Sequence, residues 1–309
     1  MSKILHIVSG IDDIANGMVV VARLLARVQG DAEVIDLNDG FNAVENSDVE
    51  EVWVHGMWLP KQWAVCWRVL KAGKRLVRMT HGSLSPVYLK WQSPFKKWLV
   101  GPVERYFLRK CDKIIATCEA EKEWIESYLG KHCPPIEVTD IKRFFDLSRI
   151  EEEKRRNVLT HNILYLGRRH PLKGVEYLEA AVAQLSNLGK IGQTLNSQNG
   201  IELKVVSNAF GEEKEKIWKW CDVLVLPTLS DNFGLVIAEA LERGKRVITT
   251  DGAPAWGDGL SRVECVEGGE ILSGYDGRLI YLKGYRNGAR EERVKLLKKA
   301  IEFLYVLHQ

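Results

Sequence analysis

The stretch that most restricts the fold is 223–250, VLVLPTLSDNFGLVIAEALERGKRVITT, in which two short apolar runs enclose one helical segment. VLVLP (223–227) and RVITT (246–250) are too short for buried helices, and their nearly unbroken apolar character is that of strands covered on both faces. Between them Asp231 and Asn232 are good N-caps, which places the helix start near Phe233. Gly244 ends that helix, with Lys245 and Arg246 beside it. A strand, a helix and a strand in that order make a βαβ unit, and its two strands run parallel.

The same alternation recurs along the chain. Strand-like runs are predicted at 4–8, 32–37, 51–56, 75–80, 113–118 and 136–140, and again at 162–167 and 201–207, with helical segments between most of them. Repetition on this scale predicts α/β architecture with doubly wound parallel sheets. A chain of 309 residues, 46% hydrophobic and 28% charged, suits two globular domains of ordinary size. The charged run RIEEEKRRN (149–157) is the expected link, giving Rossmann-like domains over 1–155 and 156–309 that face each other across a cleft. The second is short. After a helix ending near 188, a polar linker (189–200) leads to one strand-like run before 223, and a helical EERVKLLKKAIEFLYVL near the end is free to pack across both domains.

Sheets of this kind bind ligands at the carboxyl ends of their strands, and a helix N-terminus there attracts phosphate. The backbone amides of Phe233, Gly234, Leu235 and Val236 are the candidates. Asp231 and Glu239 are separated by eight positions, on the order of 12 Å along a helix, so they reach the two ends of something long with a phosphate between. A nucleotide sugar has that layout; a cap and a solvated helix residue would read the same way. In RRHPLKG (168–174) Arg168 and Lys173 straddle a proline turn at a strand end, where a forked guanidinium and a point charge suit a diphosphate. Asn16 and Gly17 stand at the turn into a helix over 18–28, where glycine serves a close backbone approach or simply the turn. His55-Gly56 and His81-Gly82 each follow a strand-like run, which puts both histidines at the carboxyl edge of the first sheet.

Two of these elements carry a resemblance. A carboxylate, seven residues and a second carboxylate, with Asn232-Phe233-Gly234 after the first and Glu239-Ala240-Leu241 at the second, resembles the matching element of the family-4 retaining glycosyltransferases of GT-B fold. The G-R-x4-K-G spacing at 167–174 is similar to that family's diphosphate-binding motif. The resemblance implies that Asp231 contacts the donor sugar, Glu239 the ribose, and the segment Asn232, Phe233, Gly234, Leu235 and Val236 the sugar and phosphate. It implies that Arg168 and Lys173 stabilise the leaving diphosphate, that His81 reaches the sugar, that Gly17 lies near the phosphate, and that Asn16 and His55 lie nearer the acceptor. Asp231 is one methylene shorter than the glutamate usual at its position. The implied reaction moves a sugar from a nucleoside-diphosphate sugar to a hydroxyl of a glycan or glycolipid with retention, in polysaccharide or lipopolysaccharide assembly. No metal cofactor is expected: Asp12 and Asp13 are adjacent rather than spaced, and the six cysteines show no C-x-x-C pairing. A nucleotide-sugar hydrolase or epimerase, and a non-catalytic membrane-associated nucleotide-binding protein, remain open alternatives.

Charge is unevenly spread. Residues 31–60 carry eight acids and no Lys or Arg, while 61–113 carry thirteen Lys and Arg against Glu104 and Asp112. Within 88–113, Lys90, Lys96, Lys97, Arg105, Arg109, Lys110 and Lys113 are interleaved with Trp91, Phe95, Trp98, Tyr106 and Phe107. Basic and aromatic residues on amphipathic helices suit an anionic membrane surface, with a buried aromatic face as the alternative; no nucleic-acid module is readable and none is expected as a partner. The opening apolar run is too short for a signal peptide and no later run approaches eighteen residues, so a cytoplasmic protein held peripherally on the inner face of the membrane is expected.

Overall fold

A computed structural model describes residues 3–13, 16–46, 48–148, 161–187, 201–207, 209–266 and 269–306. Chain contacts divide it into two units, Met1–Phe144 and Phe145–Gln309. The expected link at 149–157 and the linker at 189–200 lie outside the described residues.

The first unit is built on six parallel strands: β1 (Lys3–Val8), β2 (Ala32–Asp36), β3 (Val49–His55), β4 (Arg75–Met79), β5 (Lys113–Ala116) and β6 (Ile136–Val138). Their order is β2-β1-β3-β4-β5-β6, with the chain crossing over after β2. The helices are α1 (Gly17–Gln29), α2 (Gly40–Ala43), α3 (Pro60–Lys71), α4 (Pro86–Trp91), α5 (Pro94–Leu99), α6 (Gly101–Lys110) and α7 (Glu119–Leu129). The apolar runs foreseen as strands are buried as parallel strands require: Val52, Val54, Leu76, Ile114 and Ala116 join one core with Val65, Val69, Leu108 and Ile125 from the helices.

A buried ion pair lies within that core. Arg78 of β4 and Glu104 of α6 are both fully buried and pair at 2.7 Å. Arg78 also donates to the Gly56 carbonyl at 2.9 Å, and Glu104 accepts from the Trp58 amide at 3.3 Å and from the Trp63 indole. The pair therefore ties α6 to the turn that follows β3.

The second unit holds seven strands: β7 (His161–Leu166), β8 (Ile201–Val206), β9 (Val223–Leu226), β10 (Arg246–Thr250), β11 (Ser261–Val266), β12 (Gly269–Gly274) and β13 (Leu279–Lys283). The order is β11-β12-β13-β10-β9-β7-β8. The pairings from β8 through β13 along that order are parallel, whereas β11 and β12 are added antiparallel at the edge. This extension is absent from the sequence reading. Its β12–β13 turn uses Tyr275, Asp276 and Gly277 at positive φ, the chemistry of a tight hairpin. The helices are α8 (Val175–Asn187), α9 (Gly211–Trp220), α10 (Leu235–Glu242) and α11 (Arg290–Val306). α11 lays Val294, Leu297, Ala300, Ile301 and Leu304, spaced three and four apart, against α8 and β13 of its own unit.

Candidate functional site

The carboxyl edge of the second sheet gathers the predicted cations and one carboxylate. Beyond β7 the chain turns through Gly167 and Arg168, then forms a single 3-10 turn over Pro171–Lys173, closed by Gly174 at φ +66. Gly174 is required twice over. Its φ is left-handed, and a Cβ there would lie 2.1 Å from the Pro227 carbonyl oxygen of the neighbouring strand end. That approach lets the Thr228 hydroxyl and the amides of Leu229 and Ser230 all donate to the Leu172 carbonyl, at 3.1, 2.8 and 3.3 Å. The loops after β7 and β9 are thereby fastened to each other. The Asp231 amide in turn donates to the Gly252 carbonyl after β10 at 2.8 Å.

Fastening sets the side chains. Lys173 Nζ lies 2.5 Å from Asp231 Oδ2, and both side chains are 22% exposed. Arg168 is exposed and forms no ion pair among the described residues, while Arg169 is committed to Glu179. The Arg168 carbonyl accepts from the Tyr165 hydroxyl at 2.9 Å, and burial pushes that phenol well up, so it stays a donor. Glu239 sits on α10 and pairs with Lys214 Nζ of α9 at 2.6 Å rather than standing alone in solvent.

The helix start needs correction. α10 begins at Leu235, two residues later than the caps suggest, because Gly234 takes a left-handed φ of +65 and occupies the capping position. Asp231 still contributes, since its Oδ1 accepts from the Gly234 amide at 3.2 Å. Asn232 and Phe233 precede the helix. Phe233 is buried, its carbonyl accepts from Trp256 Nε1 at 2.5 Å, and its ring lies against Phe145 and Trp256, so it packs the loop from beneath. Of the four amides named for phosphate, those of Leu235 and Val236 are first-turn donors with no intrahelical carbonyl to bond.

The first sheet brings together residues that the sequence reading kept apart. Residues two apart on a strand share a face, and residues in register on parallel neighbours share it too. His6 of β1 pairs in register with Trp53 of β3, and His55 with Met79 of β4, so His6, His55 and His81 fall on one face. His81 Nε2 lies 2.8 Å from His55 Nδ1, His55 Nε2 lies 2.9 Å from His6 Nδ1, and His6 Nε2 lies 2.6 Å from Gln29 Oε1 at the end of α1. Burial holds His55 well below the ordinary histidine range and takes His6 and His81 down to about 4, the latter against the charge of Glu121. All three rings are neutral at neutral pH.

His55, expected nearer the acceptor, is buried at the end of β3. It has no exposed surface and both ring nitrogens are engaged, one by His6 and the other by His81. His81 itself is part-exposed and adopts φ +50, a left-handed conformation uncommon outside glycine. Glu121 of α7 holds that turn. One oxygen accepts from the Thr80 hydroxyl and the Gly82 amide, both at 2.6 Å; the other accepts from the Thr117 amide and hydroxyl at 2.8 and 2.9 Å. Neither Glu121 nor Gln29 stands out in the sequence. A glutamate in the first turn of a helix signals only a helix start. Asn16 caps α1, accepting from the Met18 amide at 3.1 Å and donating to the Ser9 carbonyl at 2.7 Å, and Gly17 is the first helical residue.

The 88–113 segment is divided. Trp91, Trp98, Leu99 and Tyr106 are more than half exposed, whereas Phe107 belongs to the core. Lys90, Arg109 and Lys110 are exposed, and Arg109 donates to the Leu129 carbonyl. The side chains of Phe95, Lys96 and Lys97 lie outside the described residues.

Two family models match the chain in succession. Residues 47–149 match Glycosyltransferase Family 4, and residues 160–267 match Glycosyl transferases group 1. An uncharacterized glycosyltransferase of Methanocaldococcus jannaschii, MJ1607, is 30% identical over 128 residues, which cover 34% of this chain and 33% of that protein. The chain thus aligns with a third of the length of that relative. Among solved structures, Anabaena Alr3699/HepE in complex with UDP-glucose superposes with a TM-score of 0.62 at 16% identity, covering 99% of this chain and 91% of that one. Sucrose-phosphate synthase from Thermosynechococcus elongatus gives a TM-score of 0.59 at 15% identity, covering 98% and 90%. The fold is that of the GT-B glycosyltransferases, with two Rossmann-like α/β domains.

Proposed function

We propose that this chain, matched to glycosyltransferase models in both of its halves, transfers a glycosyl group from a nucleoside-diphosphate sugar to a hydroxyl of a glycan or glycolipid. Retention of configuration and a role in polysaccharide or lipopolysaccharide assembly belong to the same proposal. The observation that carries it is the Lys173–Asp231 pair beside exposed Arg168, at the carboxyl edge of the second sheet. The two cations neutralise the diphosphate as it leaves, and the half-buried setting of Lys173 strengthens that attraction relative to water. Asp231 positions the Lys173 ammonium and offers its remaining lone pairs to donor hydroxyls. Glu239, steadied by Lys214, contacts the ribose, and His81 contacts the donor sugar.

The two carboxylates are expected to separate in calorimetry. Glu239→Gln lowers affinity for the nucleoside diphosphate itself. Asp231→Asn leaves that affinity within about threefold, because one charge-assisted contact to Lys173 is lost without a contact to the nucleotide, and it lowers turnover by about tenfold or more. Equal behaviour of the two variants would refute one acid per end of the donor. Release of free sugar from donor alone, as fast with acceptor absent as present, would instead identify a hydrolase.

The acceptor side of the proposal includes an anionic membrane surface. No helix among the described residues is long and apolar enough to cross a bilayer. Trp91, Trp98, Leu99 and Tyr106 are exposed, as are Lys90 and Lys110, and basic and aromatic side chains open to solvent suit peripheral binding on the cytoplasmic leaflet. Each basic residue near such a surface is worth about 1 kcal/mol, so Lys90→Glu with Lys110→Glu should weaken binding to phosphatidylserine vesicles about thirtyfold or more. The melting temperature should stay within a degree or two, as solvated charges add little to folding. Wild-type sedimentation that is equal with neutral and anionic vesicles would contradict an electrostatic contact.

A further inference from the structure

We infer that Gln29 and His6, acting through His55, fix which nitrogen of His81 carries its proton, and so determine what His81 presents to a ligand. Donors and acceptors along one line of contacts fix the order. The side-chain oxygen of Gln29 only accepts, so His6 Nε2, 2.6 Å away, carries the proton and donates it. In a neutral ring the other nitrogen is then a bare acceptor, and His6 Nδ1 receives a hydrogen bond from His55 Nε2 at 2.9 Å. By the same step His55 Nδ1 is bare and receives from His81 Nε2 at 2.8 Å. The series ends with His81 Nδ1 as a bare acceptor, with no hydrogen-bond partner among the described residues.

The order is imposed by burial. His6 and His55 have no exposed surface, so water does not supply an alternative partner inside the line. Charging His6 or His55 would force two donors to face each other within the line, and burial disfavours the charged form at all three positions. Reversing the proton on one ring therefore requires reversing all three. Gln29 is half-buried at the end of α1, the one member whose chemistry can be changed without opening the core. Gln29, His6 and His55 are positioning residues: they touch no ligand and act on one through His81.

This inference rests on the reading of His81 as a contact to the donor sugar for its functional consequence, but not for the tautomer itself. A bare Nδ1 accepts a hydrogen bond from a sugar hydroxyl, whereas an Nδ1–H competes with that hydroxyl proton. The test exchanges Gln29 for an acceptor-only and a donor-only side chain. Long-range nitrogen–proton NMR on histidine-labelled protein, which distinguishes protonated from bare ring nitrogens, is applied to wild type, Gln29→Glu and Gln29→Lys. Wild type and Gln29→Glu are expected to show His81 protonated on Nε2, and Gln29→Lys to show it on Nδ1. Transfer should be retained by Gln29→Glu, whereas Gln29→Lys should lower kcat about tenfold, the worth of one such hydrogen bond, with less change in the affinity for nucleoside diphosphate. A merely structural Gln29 would shift the melting temperature of both variants and leave the tautomer alone. Gln29→Leu, which removes the acceptor without adding a donor, should give a mixture of the two tautomers and serves if Gln29→Lys does not fold. His81 protonated on Nδ1 in wild type, or the same tautomer in the glutamate variant and in the lysine or leucine variant, would overturn the inference. A reversed tautomer with unchanged kcat would uphold it and remove His81 from the donor contact.

Discussion

Joint replacement of Arg168 and Lys173 by alanine is expected to weaken nucleoside-diphosphate binding at least a hundredfold. Charge-assisted contacts contribute about 1.5 to 3 kcal/mol each, and every 1.4 kcal/mol is tenfold in affinity. The single variants should not be equal. Arg168 is exposed and forms no ion pair among the described residues, so Arg168→Ala removes its contact and little else. Lys173 pairs with Asp231 at 2.5 Å, so Lys173→Ala also leaves a half-buried carboxylate without its cation, facing the incoming phosphates. Lys173→Ala is therefore the more damaging, and adding Asp231→Asn to it should recover part of the loss. A double-mutant cycle measures that coupling, which for residues in contact runs to about 0.5–3 kcal/mol. Unchanged affinity in both single variants, or a zero coupling energy, would remove the cation clamp from the account.

The largest stability effect is expected at Glu104. Arg78 and Glu104 are both fully buried, and truncating one partner of such a pair costs about 3–5 kcal/mol because an uncompensated charge stays in the core. Glu104→Ala would leave the Arg78 guanidinium with the Gly56 carbonyl and Cys66 Sγ as partners, and would also release the Trp58 amide and the Trp63 indole. A domain with a typical margin of about 5–15 kcal/mol then approaches its unfolding limit. Replacing both charges, as Arg78→Met with Glu104→Leu, should cost much less, since no orphaned charge remains. Denaturant unfolding of the three variants checks the pattern. A loss below about 1 kcal/mol for Glu104→Ala would show that water reaches the guanidinium and that the pair is not the core tie described.

Much of the architecture was legible because parallel strands buried on both faces print as short apolar runs, and nearly every such run became a strand. The turn at 167–174 was legible for a similar reason: Gly174 and the proline mark a backbone that must pass close to the Pro227 carbonyl, and cations flanking it are carried to the strand end. What was lost is what local pattern does not encode. β11 and β12 form an antiparallel edge with no helix between, so the alternation offers no cue, although Asp276-Gly277 between apolar runs is a hairpin signal that was there to be used. The start of α10 slipped by two residues because a left-handed Gly234 took the capping position that Asp231 and Asn232 suit by composition. The aromatics of 88–113 divide between core and surface according to helix phase, which the composition of the segment does not contain. The histidine line could not be read at all. His6, His55 and His81 are 49 and 26 positions apart and meet only through strand register, and Gln29 reaches them from a helix end.

The central claim is that the carboxyl edge of the second sheet holds a nucleoside diphosphate, and thermal unfolding of the whole chain with UDP, GDP, ADP and CMP in turn tests it most directly. A ligand that binds only the folded state stabilises it by about 2.7 kcal/mol at one hundred times its dissociation constant, a shift of several degrees. The account predicts such a shift for at least one of the diphosphates, and its disappearance in the Arg168→Ala/Lys173→Ala variant at the same concentration. No shift with any of the four, or an undiminished shift in that variant, would contradict it.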